Sequence, residues 1–299
     1  MLSPRIKLSK LGPQFSRIVA GAWRMSDWGW TQQQRLDWIK GCLDLGVTTF
    51  DHADIYGGYT AEEQFGEALA LEPGLRQHMQ LVSKTGIALV TPNRPDHRIQ
   101  HYNTSRQHII VSAERSLRNL HTDHLDLLLI HRPSPLLDAD EVAEAFHALH
   151  QAGKVRHFGV SNFTPRQFEL MNSRFPLVTN QVEVSPLCLD TLHDGTLDQM
   201  QQHGIAPMAW SPLSGGRLFS DGARETRVRE VLANLPSIGN APADEAAYAW
   251  LLRHPARLLP ITGSSKLDVI RKAVSACSLQ MDEQDWFSVW VAATGHAVP

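Results

Sequence analysis

Eight times along this 299-residue chain a short run of β-branched residues or leucines gives way to a longer amphipathic stretch. The apolar runs cover 18–20, 47–50, 80–83, 125–130, 155–160, 178–181, 207–210 and 258–261; the helix-like stretches cover 32–45, 62–71, 105–120, 139–152, 165–173, 190–203, 243–254 and 266–276. Strict alternation implies parallel strands joined by crossover helices. Eight units predict an α/β chain closed into a (β/α)8 TIM barrel, an open doubly wound sheet being the alternative that the pattern alone leaves. A barrel of this kind fills ~250 residues as one domain, and no internal repeat or low-complexity linker divides the chain, so residues 1–299 are expected to form a single domain. Thr31, Asp138 and Thr164-Pro165 have the character of helix N-terminal caps, and Gly46, Gly153 and Gly204 close helices just before strands. The opening stretch IKLSKLGPQFSRIV predicts a β-hairpin turning at Gly12-Pro13 that plugs the lower end of the barrel, and residues 283–294 predict an extra C-terminal helix.

Composition narrows the function classes. With 28 basic and 31 acidic residues, a net charge of −3 and no basic run, the chain lacks the concentrated charge that phosphate backbones require, so nucleic acid is not an expected partner. No segment approaches ~20 uninterrupted apolar residues, which argues against a membrane span, and no signal-peptide pattern opens the chain. Cys42, Cys188 and Cys277 are odd in number, far apart and without metal-site spacing. Reduced thiols and a cytoplasmic location are expected. The 15 histidines show no HxH or HExxH spacing. The one tight cluster, Asp51-His52-Ala53-Asp54, would be split between faces by strand alternation, so no metal is expected. There is no GxGxxG, so a Rossmann site is unsupported.

The residues just past each apolar run carry the functional signal. TTF runs into Asp51, LVS into Lys84, LLLI into His131, FGV into Ser161-Asn162, VTN into Gln181 and Glu183, MAW into Ser211, and LPIT into Gly263-Ser264. All lie at strand C-terminal ends, which in a parallel barrel share one mouth, where barrel active sites sit. Lys84 in such a place also suits a Schiff-base aldolase. Two connections are long, 85–104 with Pro92, Pro95, His97 and His101, and 211–241 with SPLSGGRLF; loops of this length are usually functional or mobile.

In order and spacing these segments resemble the aldo-keto reductase family, from about residue 16 to residue 275, and within it a bacterial oxidoreductase branch. TTFDHADIYGG is similar to its signature, with Asp51 and Tyr56; LVSKTG supplies Lys84, LDLLLIHRP supplies His131, KVRHFGVSNF supplies Ser161 and Asn162, NQVEVSP supplies Gln181, and AWSPLSGGRL supplies Trp210 to Arg217. The resemblance implies reduction of aldehyde or ketone carbonyls, with a small-molecule carbonyl compound as partner and the chain acting as a monomer or small homo-oligomer. Hydride addition leaves charge on the carbonyl oxygen. Tyr56 would protonate it, Lys84 would lower the phenol pKa, Asp51 would hold Lys84, and His131 would orient the oxygen.

The resemblance further implies a nicotinamide cofactor, NADPH with NADH possible, lying extended across the mouth. Trp210 would stack on the nicotinamide, Ser161, Asn162 and Gln181 would bind its carboxamide, and Asp51 with Gly21, Ala22, Trp23 and Arg24 would border its ribose. The loop Ser211, Pro212, Leu213, Ser214, Gly215, Gly216 and Arg217 would wrap the pyrophosphate. Gly263, Ser264, Ser265 and Lys266, at the start of the last crossover helix, would take the 2′-phosphate. Position 269, commonly arginine in the family, is Val269 here, which bears on the choice between NADPH and NADH. Trp23, Trp28 and Trp30 would form an aromatic wall. A cofactor-binding regulatory protein with weak turnover is the other reading the family offers.

Overall fold

In the computed structural model, which describes all 299 residues, the eight apolar runs form one closed barrel of parallel strands. The strands outside and inside it are β1 (Arg5–Lys7), β2 (Gln14–Ser16), β3 (Val19–Gly21), β4 (Thr49–Asp51), β5 (Gln80–Thr85), β6 (Ile87–Ala88), β7 (His101–Tyr102), β8 (Leu125–Ile130), β9 (Val155–Ser161), β10 (Asn180–Glu183), β11 (Met208–Trp210) and β12 (Leu259–Thr262). Around the barrel run β3, β4, β5, β8, β9, β10, β11 and β12, the last closing on the first. The helices are α1 (Gln32–Asp44), α2 (Ala61–Leu69), α3 (Arg106–Asn119), α4 (Ala139–Gln151), α5 (Pro165–Asn172), α6 (Thr196–Gln202), α7 (Ala223–Leu232), α8 (Ala243–Leu252), α9 (Leu267–Ser275) and α10 (Glu283–Thr294). This is a (β/α)8 TIM barrel.

Local chemistry explains the helix ends. Thr31 and Thr164 each accept from the third helical amide while Gln34 and Gln167 reach back, so both form reciprocal capping boxes. Asp138 accepts from the amides of Asp140 and Glu141. Gly66 in α2 permits close helix packing, because a Cβ there would lie 1.9 Å from the Asn119 carbonyl at the end of α3.

Period-two alternation decides what the barrel encloses. Val82, Leu127, Leu129, Met208, Leu259 and Ile261 point inward and form a small interior core. One step further up the same faces stand Lys84, His131, Trp210 and Gly263. Alternation thus places an apolar floor beneath a polar mouth. The floor is sealed from below by the hairpin β1–β2. Leu8 and Phe15, both fully buried, join the interior core, and the amide of Ala206 donates to Leu8 O at 2.6 Å. Ser16 and Thr49 exchange hydrogen bonds at 3.1 Å, tying the hairpin to β4. A much larger core fills the space between barrel and helices.

Three features differ from the sequence expectation. The helix over 190–203 is split: a short 3-10 turn at Asp190–Leu192 precedes α6, because Gly195 at φ 85 interrupts the chain. The connection after β11 contains α7, and the connection after β5 contains the small antiparallel pair β6–β7. The C-terminal helix occupies 283–294 as expected.

Because Phe15 is both plug and core, Phe15→Ala is expected to lower the unfolding free energy by about 3–5 kcal/mol, read by urea denaturation. A loss under about 1 kcal/mol would mean that the hairpin seals nothing.

Candidate active site

Parallel strands bring their C-terminal ends to one face, and an open cleft of about 560 Å³ lies over that face. Its floor holds a buried ammonium. Lys84, the penultimate residue of β5, is fully buried and donates to Asp51 Oδ2 at 2.7 Å, to the His52 carbonyl at 2.8 Å and to Tyr56 Oη at 2.9 Å. An ammonium has three donors, and each is satisfied. The register of β4 on β5 makes this possible by pairing Asp51 with Val82, one step below Lys84.

Asp51 is braced from the other side of the mouth. Its second oxygen accepts from Gln181 Nε2 at 2.8 Å. Gln181 is on β10, four strands from β4 around the eight-stranded ring, so this bond spans the barrel. Asp51 therefore has one oxygen on the cation and one on the amide.

The electrostatics follow from burial. For Lys84, burial alone lowers the pKa, but Asp51 and Tyr56 outweigh it, and the ammonium is held above its ordinary 10.5. For Tyr56, burial pushes the phenol above 10, and the opposing pull of Lys84 does not reverse it. Lys84 does pull the Tyr56 pKa down as expected, but removing the phenol from water outweighs the ammonium and the net shift is upward. Tyr56 consequently keeps its proton at neutral pH. His131, on the loop just past β8, is driven well below 6.5 by burial, then by Lys84 and Arg132, so its ring is neutral. Its Nδ1 is buried without a partner, and its ring meets that of Tyr56 edge-on at 5.9 Å.

Asp51, Tyr56 and His131 line the cleft together with Gly21, Trp23, Ser161, Gln181, Trp210, Ser211, Pro212, Leu213, Gly215, Gly216 and Gly263 to Ser265. Others of the expected site residues stand elsewhere. Lys84 sits beneath the floor. Ala22 is fully buried, and Ser214 is turned inward to Ser185 at 2.8 Å. Asn162 accepts from the Trp210 indole at 3.0 Å and donates to Ser161 Oγ at 2.7 Å, so its side chain fixes an indole. Arg217 is exposed outside the cleft lining, and so is Lys266, whose extended backbone caps α9. Val269 does line the cleft. Of the tryptophan trio, Trp23 and Trp28 reach the cleft. Trp30 instead packs on Trp28 at 4.6 Å and against the outer core.

Arg24, expected at the ribose border, lines the cleft as well, and sequence reasoning missed one further lining cation, Arg132. Arg24 donates to the Gly215 carbonyl at 3.1 Å, linking the loop after β3 to the glycine loop. Arg132 lies 5.5 Å from the centroid of the Trp210 ring. It follows His131 in the quoted HRP, a position adjacent to a recognised one. Tyr248 from α8 also lines the cleft and donates to Thr262 at 3.0 Å.

A buried acid, a buried cation and a phenol in hydrogen-bonded series, beside a neutral imidazole, can deliver a proton to an oxygen in the cleft and stabilise the phenolate left behind. Residues 17–289 match the aldo/keto reductase family. The chain belongs to the aldo/keto reductase family. It is 56% identical to the oxidoreductase YdhF of Escherichia coli over 99% of each chain, and 46% identical to a 6-dehydroglucose reductase of Agrobacterium fabrum over 95% of this chain and 96% of that one. The solved structure of the thermostable aldo-keto reductase Tm1743, in complex with the inhibitor epalrestat, superposes with a TM-score of 0.80 at 26% identity, covering 97% of this chain and 99% of that one. Membership makes the chain an oxidoreductase acting on carbonyl compounds, in a family that generally uses NAD(P)H. No helix is long and apolar enough to cross a membrane.

The segment after β4 has a further consequence for stability. His52 points away from the cleft, against Phe65 at 4.5 Å, with both ring nitrogens unpartnered. Burial, with Lys84 adding to it, lowers its pKa to about 3. An unfolded histidine takes its proton near pH 6.5, so below that pH the unfolded chain binds more protons than the folded one. The stability tied to a neutral His52 is complete above about pH 6.5 and is lost as pH falls toward about 3. His52→Phe is expected to flatten the fall of unfolding free energy between about pH 6 and about pH 4. An unchanged pH slope in denaturation experiments would remove His52 from this account.

Proposed function

We propose that this chain reduces an aldehyde or ketone to its alcohol with NADPH as donor, NADH being the possible substitute, and that Tyr56 supplies the proton. The observation that carries this reading is the Lys84 ammonium, 2.9 Å from Tyr56 Oη and 2.7 Å from Asp51 at the floor of an open cleft. Tyr56 enters the reaction protonated, as its raised pKa requires. Once it has given up the proton, the adjacent ammonium stabilises the tyrosinate. Asp51 keeps that ammonium charged and in place. His131, neutral and held at the cleft wall, hydrogen-bonds the substrate oxygen and orients it.

The residues present fit a nicotinamide dinucleotide. The Trp210 indole is fixed by Asn162 and offers a stacking face. Gly215 at φ 67 and Gly216 at φ 99 turn the backbone of the loop in a way that only glycine adopts easily, which exposes main-chain amides to an anion. Ser264 and Ser265 line the cleft just before α9, and exposed Lys266 follows them as its N-terminal cap. When bound, the reduced nicotinamide supplies the hydride. On this reading Ser161 and the free carbonyl oxygen of the Gln181 side chain face the carboxamide, Gly21 and Trp23 border the ribose, and Arg217 adds charge near the pyrophosphate.

The aldolase reading is disfavoured by the same lysine. A Schiff-base nucleophile must offer a free amine, and all three Lys84 donors are engaged in a fully buried site. For substrate, the A. fabrum relative is named as a 6-dehydroglucose reductase. A second relative of that name, from Novosphingobium aromaticivorans, is 38% identical over 98% of this chain. We therefore place a sugar carbonyl first, with Arg24 and Arg132 on the cleft wall suited to its hydroxyl oxygens.

Tyr56→Phe is expected to cut turnover by about 100- to 10,000-fold while NADPH still binds, as read by quenching of tryptophan fluorescence. Wild-type turnover in that variant would show that another group is the acid. Lys266→Ala is expected to weaken NADPH by about tenfold, the scale of one charge-assisted contact, and to leave NADH affinity nearly unchanged. Equal loss for both dinucleotides would place the 2′-phosphate away from Lys266.

A further inference from the structure

A second cavity, of about 310 Å³, opens between the long loop after β5 and the first turns of α3. Its lining includes Arg94, Arg115, His97 and His108, with Asp54 and Tyr59 contributed by the loop after β4. Neither arginine enters an ion pair. Arg94 spends one N–H on the neighbouring Asn93 carbonyl, at 2.6 Å. Arg115 has a planar fork of five donors and makes no hydrogen bond to a protein acceptor. Burial and the charge of Arg115 both push the Arg94 pKa down, so the two guanidinium groups face a common space and repel each other there.

This cavity is built rather than incidental. The Arg94 guanidinium lies 4.1 Å from the centroid of the Tyr59 ring, a cation–π contact that fixes its plane. Tyr59 Oη accepts from the Leu89 amide at 2.9 Å, and His97 Nδ1 bonds the Leu89 carbonyl at 2.8 Å. Asn93 donates to the Gly58 carbonyl at 2.8 Å. The loop is therefore pinned to the segment after β4 by polar contacts at several points, which hold Arg94 and His97 over α3. From the helix side, Ser105 caps α3 and His108 follows within its first turn, so the positive end of the helix faces the same space. His108 Nε2 is buried without a partner, and so is Asp54 Oδ1, in a side chain 6% exposed.

Two unpaired arginines, two histidines and a helix N-terminus around one small concavity are the chemistry that recognises a tetrahedral oxyanion. We infer that this cavity binds a phosphate-type anion, either free inorganic phosphate or the phosphate of a small phosphomonoester, with Arg94 and Arg115 as its forked ligands. Asp54 does not defeat this. Its Oδ2 already accepts from Ser112 at 2.6 Å, and burial raises its pKa to about 7, so the acid can hold a proton and donate toward the anion. Even with Asp54 ionised, the two guanidinium groups leave the lining net positive. The bound anion would bridge the loop and α3 behind the segment that carries Asp51 and Tyr56, apart from the cleft where the cofactor is proposed to lie.

Titration calorimetry with inorganic phosphate and with glucose 6-phosphate tests this, on the full chain with NADP+ present in excess so that anion contacts in the catalytic cleft are occupied. Saturable binding is expected, weakened at least about tenfold by Arg115→Gln or Arg94→Gln, each variant being checked for an unchanged thermal midpoint. Phosphate binding as tightly as the ester identifies the free anion as ligand; tighter binding of glucose 6-phosphate identifies a phosphomonoester. Independently, the anion should slow hydrogen exchange of backbone amides across residues 93–112 in the wild type and not in Arg115→Gln. Absence of saturable binding for both probes, or binding that both substitutions leave unchanged, overturns the assignment.

Discussion

The rest of the site depends on one buried ammonium. Taking a lysine head group wholly out of water costs several kcal/mol even after the protein relaxes. Lys84 stays charged because a carboxylate, a main-chain carbonyl and a phenol each take one of its hydrogens. Those three acceptors all come from the segment Asp51 to Tyr56. A shift of that segment by a single ångström would leave a buried charge short of a partner, a far larger penalty than an ordinary lost hydrogen bond. The geometry on which the proposed proton delivery relies is thus enforced by the electrostatics of folding itself, and the phenol is held beside the cation.

The barrel turns that local demand into a global one. Asp51 could not serve Lys84 alone without an idle oxygen in a nearly dry site. The second oxygen is taken by Gln181 from across the ring, at 2.8 Å. Closure of the sheet, the floor of inward Val, Leu, Met and Ile residues, and the hairpin plug below it all act to hold opposite strand ends at that separation. Burial, together with the partners of Lys84, then sets the three titrating groups apart: the phenol up, the ammonium up, the imidazole down. Burial raises an acid and lowers a base. Lys84 is the exception because its partners outweigh its desolvation.

The barrel strands were legible because alternation and strand-end chemistry are local patterns. Asp51, Lys84 and His131 each follow a run of apolar residues, and the helix caps at Thr31, Asp138 and Thr164 carry their own side-chain logic. What escaped had no such pattern. Helix α7, ARETRVREVL, buries little besides Val228 and Leu232. It is docked largely through Arg224 and Arg227, whose guanidinium groups donate to the Ala293 and Ala292 carbonyls of α10, and tertiary hydrogen bonds leave no period in a sequence. The pair β6–β7 has two residues per strand, too few for alternation to register. Spacing reveals the cation that pulls the Tyr56 pKa down but not the depth at which the two meet, so the larger upward effect of burial was not legible. Lys266 was placed by the resemblance, at the start of the last crossover helix, and its exposure there depends on how the chain enters α9.

One short segment answers to both cavities. Asp51 and Tyr56 turn toward the catalytic cleft, while Asp54 and Tyr59 turn toward the basic one. Serving two sides in so few residues leaves no room for a regular element. The chain instead makes a tight 3-10 turn, with Gly57 at φ 59, Gly58 at φ 61 and Tyr59 itself at φ 76. A Cβ on Gly57 would fall 2.0 Å from Ser26 Oγ, so sterics as well as dihedral freedom demand glycine there. Tyr59 accepts a left-handed backbone at a cost of order 1 kcal/mol, offset by its hydrogen bond to Leu89 and its stacking under Arg94. Strain is therefore placed between the phenol that faces the cleft and the aromatic ring that supports the second cavity. The same few backbone torsions, at Gly57, Gly58 and Tyr59, join the two sides.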